Sequence, residues 1–217
     1  MEILGYVGAL FIGLVLGLTG GGGSILTVPI LVYLMSINPV TATAYSLFIV
    51  GTTSTFGAIQ NYRKNLVDIK NGFIFAIPSF IAVYLTRKFI VPRIPEIIVE
   101  SPILITKETF LMLFFAVIMV FGALSVLKKK SQNTNSEEKK NLILIGIQTF
   151  TIGIIIGLVG AGGGFLIIPS LILFTKLQMK KAVGTSLFII ALNSLVGFIG
   201  DVQNLEIDWL FLLTFSS

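Results

Sequence analysis

Four consecutive glycines, Gly20, Gly21, Gly22 and Gly23, interrupt an apolar run covering residues 4–35. Glycine weakens a helix by roughly 1 kcal/mol per residue relative to alanine, so four together should break it. The pattern occurs twice. Gly17-Leu-Thr-Gly-Gly-Gly-Gly-Ser-Ile-Leu-Thr-Val-Pro29 returns 140 positions later as Gly157-Leu-Val-Gly-Ala-Gly-Gly-Gly-Phe-Leu-Ile-Ile-Pro169, inside a second apolar run covering 142–174. With 55% hydrophobic and 12% charged residues and a mean hydropathy of +0.99, the chain is far less charged than a soluble domain. Several runs reach the ~20 residues that span a bilayer. In lipid, backbone groups freed by a break must be satisfied internally or face a water-filled cavity. Paired breaks in two halves point to the binding site of a transporter.

The 217 residues contain no cysteine and no histidine. That excludes disulfides and histidine-ligated haem and argues against zinc, so no metal and no cofactor is expected. The N-terminus lacks a basic signal-peptide region, and the first run is expected to be retained. The net charge of +5 gathers in loops, as in a multi-pass membrane protein, and suggests no nucleic-acid partner.

Further apolar segments cover residues 40–60, 71–90, 108–127 and 182–200, and a seventh starts near Ile207. Arg87, Lys88 and Pro92 read as the close of the third, with Pro95 and Pro102 in the loop behind it. At the constant shift of 140, Ala42, Ser46-Leu-Phe-Ile49, Ser54, Gly57 and Asp68 match Ala182, Ser186-Leu-Phe-Ile189, Ser194, Gly197 and Asp208. The expected organisation is a first transmembrane repeat over 1–127, a hydrophilic link over 128–141, and a second repeat over 142–217. Segments after Asp68 have no counterparts before Ser217, so the second repeat is expected to be truncated.

Basic residues bear on orientation. If 4–35 crosses once, they divide almost evenly between the two sides, against the positive-inside tendency. If each glycine cluster tips a re-entrant hairpin, only Arg87, Lys88, Arg93 and Lys107 oppose the rest. The hairpin is the preferred reading, beside a broken spanning helix. It gives each repeat an odd number of crossings and inverts the halves. The expected fold is an all-α polytopic membrane protein of two probably inverted helical repeats.

A helix starting at Ser24 or Gly164 offers free N–H groups and a positive dipole end to an anion. Ser46, Thr53 and Gly57, mirrored by Ser186, Asn193 and Gly197, add small polar residues at near-heptad spacing. The candidate substrate-binding set is therefore Gly20, Gly21, Gly22, Gly23, Ser24, Ser46, Thr53, Gly160, Gly162, Gly163, Gly164, Ser186 and Asn193. For Gly13, Gly57, Gly153 and Gly197 close helix packing is the favoured explanation. Ser54 and Ser194 could as easily bond their own helix backbone. No charged residue stands at the centre of an apolar segment, so no in-span carboxylate relay is expected. Asp68 and Asp208 stand at the starts of the third and seventh segments, where stabilisation of a helix N-terminus explains them.

Enzyme readings fail on particulars, and no catalytic residue is expected. The clusters lack the Lys-Ser/Thr of a P-loop. Without histidine there is no Ser–His pair. Gly200-Asp201 lacks both the first glycine, replaced by Phe198, and the partner aspartate of an intramembrane aspartyl protease.

Through Gly17 to Ser24 with Val28-Pro29, Ala42-Thr-Ala-Tyr-Ser-Leu47, Gly157 to Gly164 with Ile168-Pro169, and Ala182-Val-Gly-Thr-Ser-Leu187, the chain resembles the sulfite exporter TauE/SafE family of membrane permeases. The resemblance implies a multi-pass plasma-membrane protein that moves sulfite or organosulfonates, usually outward. The expected partners are that small anion and the lipid bilayer, with homo-oligomer formation left open. The alternative is a non-transporting membrane scaffold or assembly factor whose glycines serve only packing. Gly22→Ala or Gly162→Ala should abolish flux in the first case and folding in the second.

Overall fold

Helix starts here are set by local chemistry. The Asn38 side chain accepts the Val40 N–H at the entrance to α2 (Pro39–Arg63), whose first residue has no N–H to leave unpaired. Asp68 accepts the Asn71 N–H and begins α3 (Ile69–Arg93), and Asp208 accepts the Phe211 N–H of α8 (Trp209–Ser216). Both aspartates stabilise a helix N-terminus, as expected, and do so by accepting a backbone N–H. In the computed structural model, residues 24–99, 105–127, 142–160, 163–175 and 177–216 are described. The remaining elements are α1 (Ser24–Pro29, followed by a π-helical stretch Ile30–Leu34), α4 (Lys107–Leu127), α5 (Leu142–Val159), α6 (Gly164–Thr175) and α7 (Met179–Val202).

The chain is mostly helical, as expected, with one departure. The loop between α3 and α4 holds a short antiparallel ribbon, β1 (Ile97–Val99) with β2 (Ile105–Thr106), pairing Ile97 with Thr106. A second correction concerns the end of the third segment. Arg87 and Lys88 do not close it: the helix passes through them as a π turn, Thr86–Ile90, and resumes at Val91–Arg93. A π turn leaves a carbonyl without its usual donor, which suits Pro92, a residue with no N–H to give.

The helix α2 lies antiparallel to α7. A Cβ on Gly57 would meet Leu187 at 3.1 Å, and one on Gly197 would meet Leu47 at 3.2 Å. These two contacts interchange when 140 is added to one partner and subtracted from the other. The same holds for two backbone donors: the Asp68 N–H reaches Thr185 Oγ1, and the Asp208 N–H reaches Tyr45 OH, both at 2.9 Å.

The helices α3 and α5 run parallel to α7. Along α3 and α7, Gly72 lies against Phe188, Ser79 donates to Asn193 Oδ1 at 2.9 Å, and Val83 meets Gly197. Along α3 and α5, Gly153 lies on the Ser79 carbonyl and Gly157 on Thr86. These contacts match the packing role expected for Gly57, Gly153 and Gly197; Gly13 lies outside the described residues. Beyond the break, Gly163 rests on Ile156, and Ile167 and Ser170 share a cavity of about 10 Å³ with Thr149 and Ile152 of α5. The order of these contacts returns α6 along α5. The core beneath is apolar, built on Phe75, Val83, Ile156, Leu171, Leu187 and Ile190.

Because Gly153 meets backbone rather than a movable side chain, Gly153→Ala should destabilise the protein by about 1–3 kcal/mol, the usual range for overpacking. Thermal unfolding in detergent measures it; an unchanged transition would mean that the two helices are not so closely set.

Two of the described helices, Ile69–Arg93 and Met179–Val202, are long and apolar enough to cross a membrane.

Candidate functional site

Three helices meet at the second glycine break. The last turn of α7 brings Asp201, the π turn of α3 brings Arg87, and the first turn of α2 brings Thr43. Arg87 Nη1 donates to Asp201 Oδ2 and to Thr43 Oγ1, each at 3.0 Å. Arg87 is 0% exposed and Asp201 is 3% exposed. The charged pair is therefore inside the helix packing, 114 residues apart in sequence.

Gly160 completes the cluster. Its φ is +71°, a left-handed conformation that disfavours a side chain, and a Cβ there would overlap Arg87 Nη2 and Thr43 Cβ. Gly163 closes the break in the same way, with φ +72°. Both positions hold this backbone because glycine carries no side chain.

Arg87 has donors to spare. Its Nε and Nη2 are buried and have no hydrogen-bond partner among the described residues. They form one edge of the guanidinium, a fork of two parallel N–H groups that fits two oxygens of one oxyanion. The Thr86 hydroxyl, beside Gly157, is also buried and unpartnered among the described residues. The charge sits off the centre of its helix, in keeping with the empty segment centres seen in the sequence. The sequence carries no sign that Arg87 and Asp201 are buried.

The sequence-derived candidates distribute along the α2–α7 crossing. Gly160 lies on Arg87, and Ser46, one turn from Thr43 on α2, is fully buried with its hydroxyl unpartnered among the described residues. Thr53 lies ten residues from Thr43, about 15 Å along the helix, and its hydroxyl bonds the Ile49 carbonyl. Asn193 lies at a similar level, with Oδ1 held by Ser79 and Nδ2 unpartnered among the described residues. Ser186 lies fifteen residues before Asp201, about 22 Å away, with its hydroxyl on the Val183 carbonyl. Ser54 and Ser194, expected to bond their own helices as readily as a ligand, have buried hydroxyls with no partner among the described residues. Gly163 and Gly164 are described, as is the backbone of Ser24. Gly20, Gly21, Gly22, Gly23 and Gly162 lie outside the described residues. In the same neighbourhood, Val28 of α1 joins Phe115 and Val159 in one apolar cluster, which sets the helix after the first glycine cluster beside the second break.

At the rim, Lys107 lies just outside the fourth apolar segment. Partial burial holds its ammonium pKa below the ordinary lysine value, opposed by the carboxylates of Glu96 and Asp201. Among the described residues no group of three or more acidic, cysteine or histidine side chains could hold a metal ion.

Residues 6–216 match the family model described as Sulfite exporter TauE/SafE. The chain is 27% identical over 209 residues to a "Probable membrane transporter protein" of Xylella fastidiosa (strain 9a5c), covering 94% of this chain and 75% of that one. It is likewise 27% identical over 233 residues to "Probable membrane transporter protein YunE" of Bacillus subtilis, covering 94% and 79%. A third relative, "Probable membrane transporter protein MJ0441" of Methanocaldococcus jannaschii, is 27% identical over 91% of this chain and 68% of its own. No solved structure matches. With the family model covering nearly the whole sequence, the chain belongs to the TauE/SafE family of membrane transporter proteins.

Proposed function

We propose that the protein carries a small sulfur-containing oxyanion, sulfite or an organosulfonate, across the plasma membrane, in the outward direction. One observation carries the reading: a fully buried guanidinium presents a two-donor edge, unpartnered among the described residues, beside a left-handed glycine break. A planar fork matches two oxygens of a tetrahedral or pyramidal oxyanion better than it matches a spherical halide. Gly160, Gly162, Gly163 and Gly164 let the anion approach the backbone, Ser46 adds a hydroxyl, and Gly20 to Gly23 with Ser24 supply the first-half counterpart. Thr53, Asn193 and Ser186 would serve the anion farther along its path.

The membrane arrangement proposed is a multi-pass one. Its halves, 1–127 and 142–217, are inverted repeats joined by 128–141. The interchange of Gly57–Leu187 with Gly197–Leu47 supports the inversion, since helices related by the 140 shift meet head to tail. The return of α6 along α5 supports a re-entrant hairpin in the second half.

Efflux of labelled sulfite and of a sulfonate from proteoliposomes tests the function. The expected result is saturable flux of both, with chloride a poor competitor. Absence of flux for every oxyanion from well-folded protein would reject the carrier reading and leave the scaffold alternative.

A further inference from the structure

The buried pair Arg87–Asp201 raises a question that binding alone leaves open. An anion needs the cation, yet the site also holds a carboxylate that competes with it. Asp201 lies within hydrogen-bonding distance of the same guanidinium, occupying Nη1 while Nε and Nη2 stay unpartnered among the described residues. The other groups around it are uncharged: Thr43 from α2 and the helix backbone at Gly160. Lys107, from the first turn of α4, is the other cation that acts on Asp201. α5 carries no charged side chain.

The electrostatics are simple. Without Asp201, Arg87 would be an isolated charge inside the helix packing, and such a charge is expensive to keep out of water. With Asp201 the ligand-free pair is neutral. A carrier that moves net substrate must also reorient without it, and a neutral site can do so where a bare cation cannot. A carrier that only exchanges one anion for another never needs that step.

We infer that Asp201 is a resident counter-ion: it neutralises Arg87 in the ligand-free carrier, weakens anion binding enough for release, and permits net transport rather than exchange alone. It acts through Arg87 and needs no contact with the anion. This rests on the carrier reading above and adds to it a role for a residue outside the anion's own contacts.

The test compares Asp201→Asn and Asp201→Glu with the unaltered protein in proteoliposomes, using methanesulfonate, whose charge is constant across neutral pH. Net efflux into sulfonate-free buffer and exchange against external sulfonate are measured side by side. Binding is followed by the rise in thermal unfolding temperature in detergent. Asp201→Asn is expected to lose net efflux about tenfold or more, keep exchange within about threefold, and bind methanesulfonate about tenfold more tightly, a factor equal to one ordinary charge–charge contact. Asp201→Glu should restore most of the net efflux. A merely structural aspartate predicts that net efflux and exchange fall together, and that result overturns the inference. Equal net efflux in the Asn variant overturns it as well. If the unaltered protein neither binds nor moves the sulfonate, the carrier reading fails first and takes this inference with it.

Discussion

Arg87→Gln is expected to destabilise the protein by about 3–5 kcal/mol and to abolish oxyanion flux. The size follows from what remains. Glutamine leaves Asp201 3% exposed without its cation, and an unpaired buried carboxylate costs far more than the pair contributes. Thr43 also loses the charged donor on its hydroxyl. Removing both charges separates the two effects. In Arg87→Met with Asp201→Leu, neither charge is left buried, and most of the stability should return, as it commonly does when a whole buried pair is replaced by apolar residues. Flux should not return. Thermal unfolding in detergent together with sulfite efflux reads both quantities. A double variant that transports would mean that the guanidinium is not the anion's ligand.

Gly160→Ala is expected to be the second most damaging single change, although it adds one methyl group. A left-handed backbone costs an alanine roughly 1–2 kcal/mol. The methyl also falls where Arg87 Nη2 and Thr43 Cβ already are, so the guanidinium must leave its place or the break must open. Overpacking of this kind adds about 1–3 kcal/mol. Sulfite affinity should therefore fall with stability. Gly146→Ala is the matched control, since a Cβ there, in the second turn of α5, meets nothing within 4 Å. It should be neutral or stabilise the helix by about 0.5–1 kcal/mol. Equal behaviour of the two variants, measured by sulfite binding and unfolding temperature, would remove Gly160 from the site.

Much of the frame is legible in the amino-acid order. Pro39 and Asn38 announce α2, Asp68 and Asp208 announce the helices behind them, and the glycine cluster places the break before α6. These signals are local, and a local signal survives whatever the rest of the chain does. The Arg87–Asp201 pair is not local. In sequence Arg87 stands beside Lys88 and five residues before Pro92, the look of a basic helix end facing water. Lys88 keeps to that pattern in part, placing its ammonium on the Tyr84 hydroxyl. Arg87 does not, because the π turn carries the helix onward and α7 brings a carboxylate to meet it. In sequence Asp201 reads only as half of a protease motif. Nothing within several residues of either position records the other, so only the tertiary arrangement could reveal the pair. Spacing alone groups Ser46, Thr53, Asn193 and Ser186 on two helices of the same register. The antiparallel crossing of those helices spaces them along the helix pair.

The interchangeable contacts between α2 and α7 have a consequence for direction. Under the shift of 140, Gly160 corresponds to Gly20, but Thr43 corresponds to Val183 and Asp201 to Asn61, whose amide bonds the Gly57 carbonyl of its own helix. The contacts between these helices thus recur under the shift, while the pairing of charge does not. Beside Arg87 stand a hydroxyl and a carboxylate; at the shifted positions stand a valine and an amide. Under the carrier reading proposed above, an anion arriving from either side would meet different partners, so the two approaches would differ in affinity while both stay open to it.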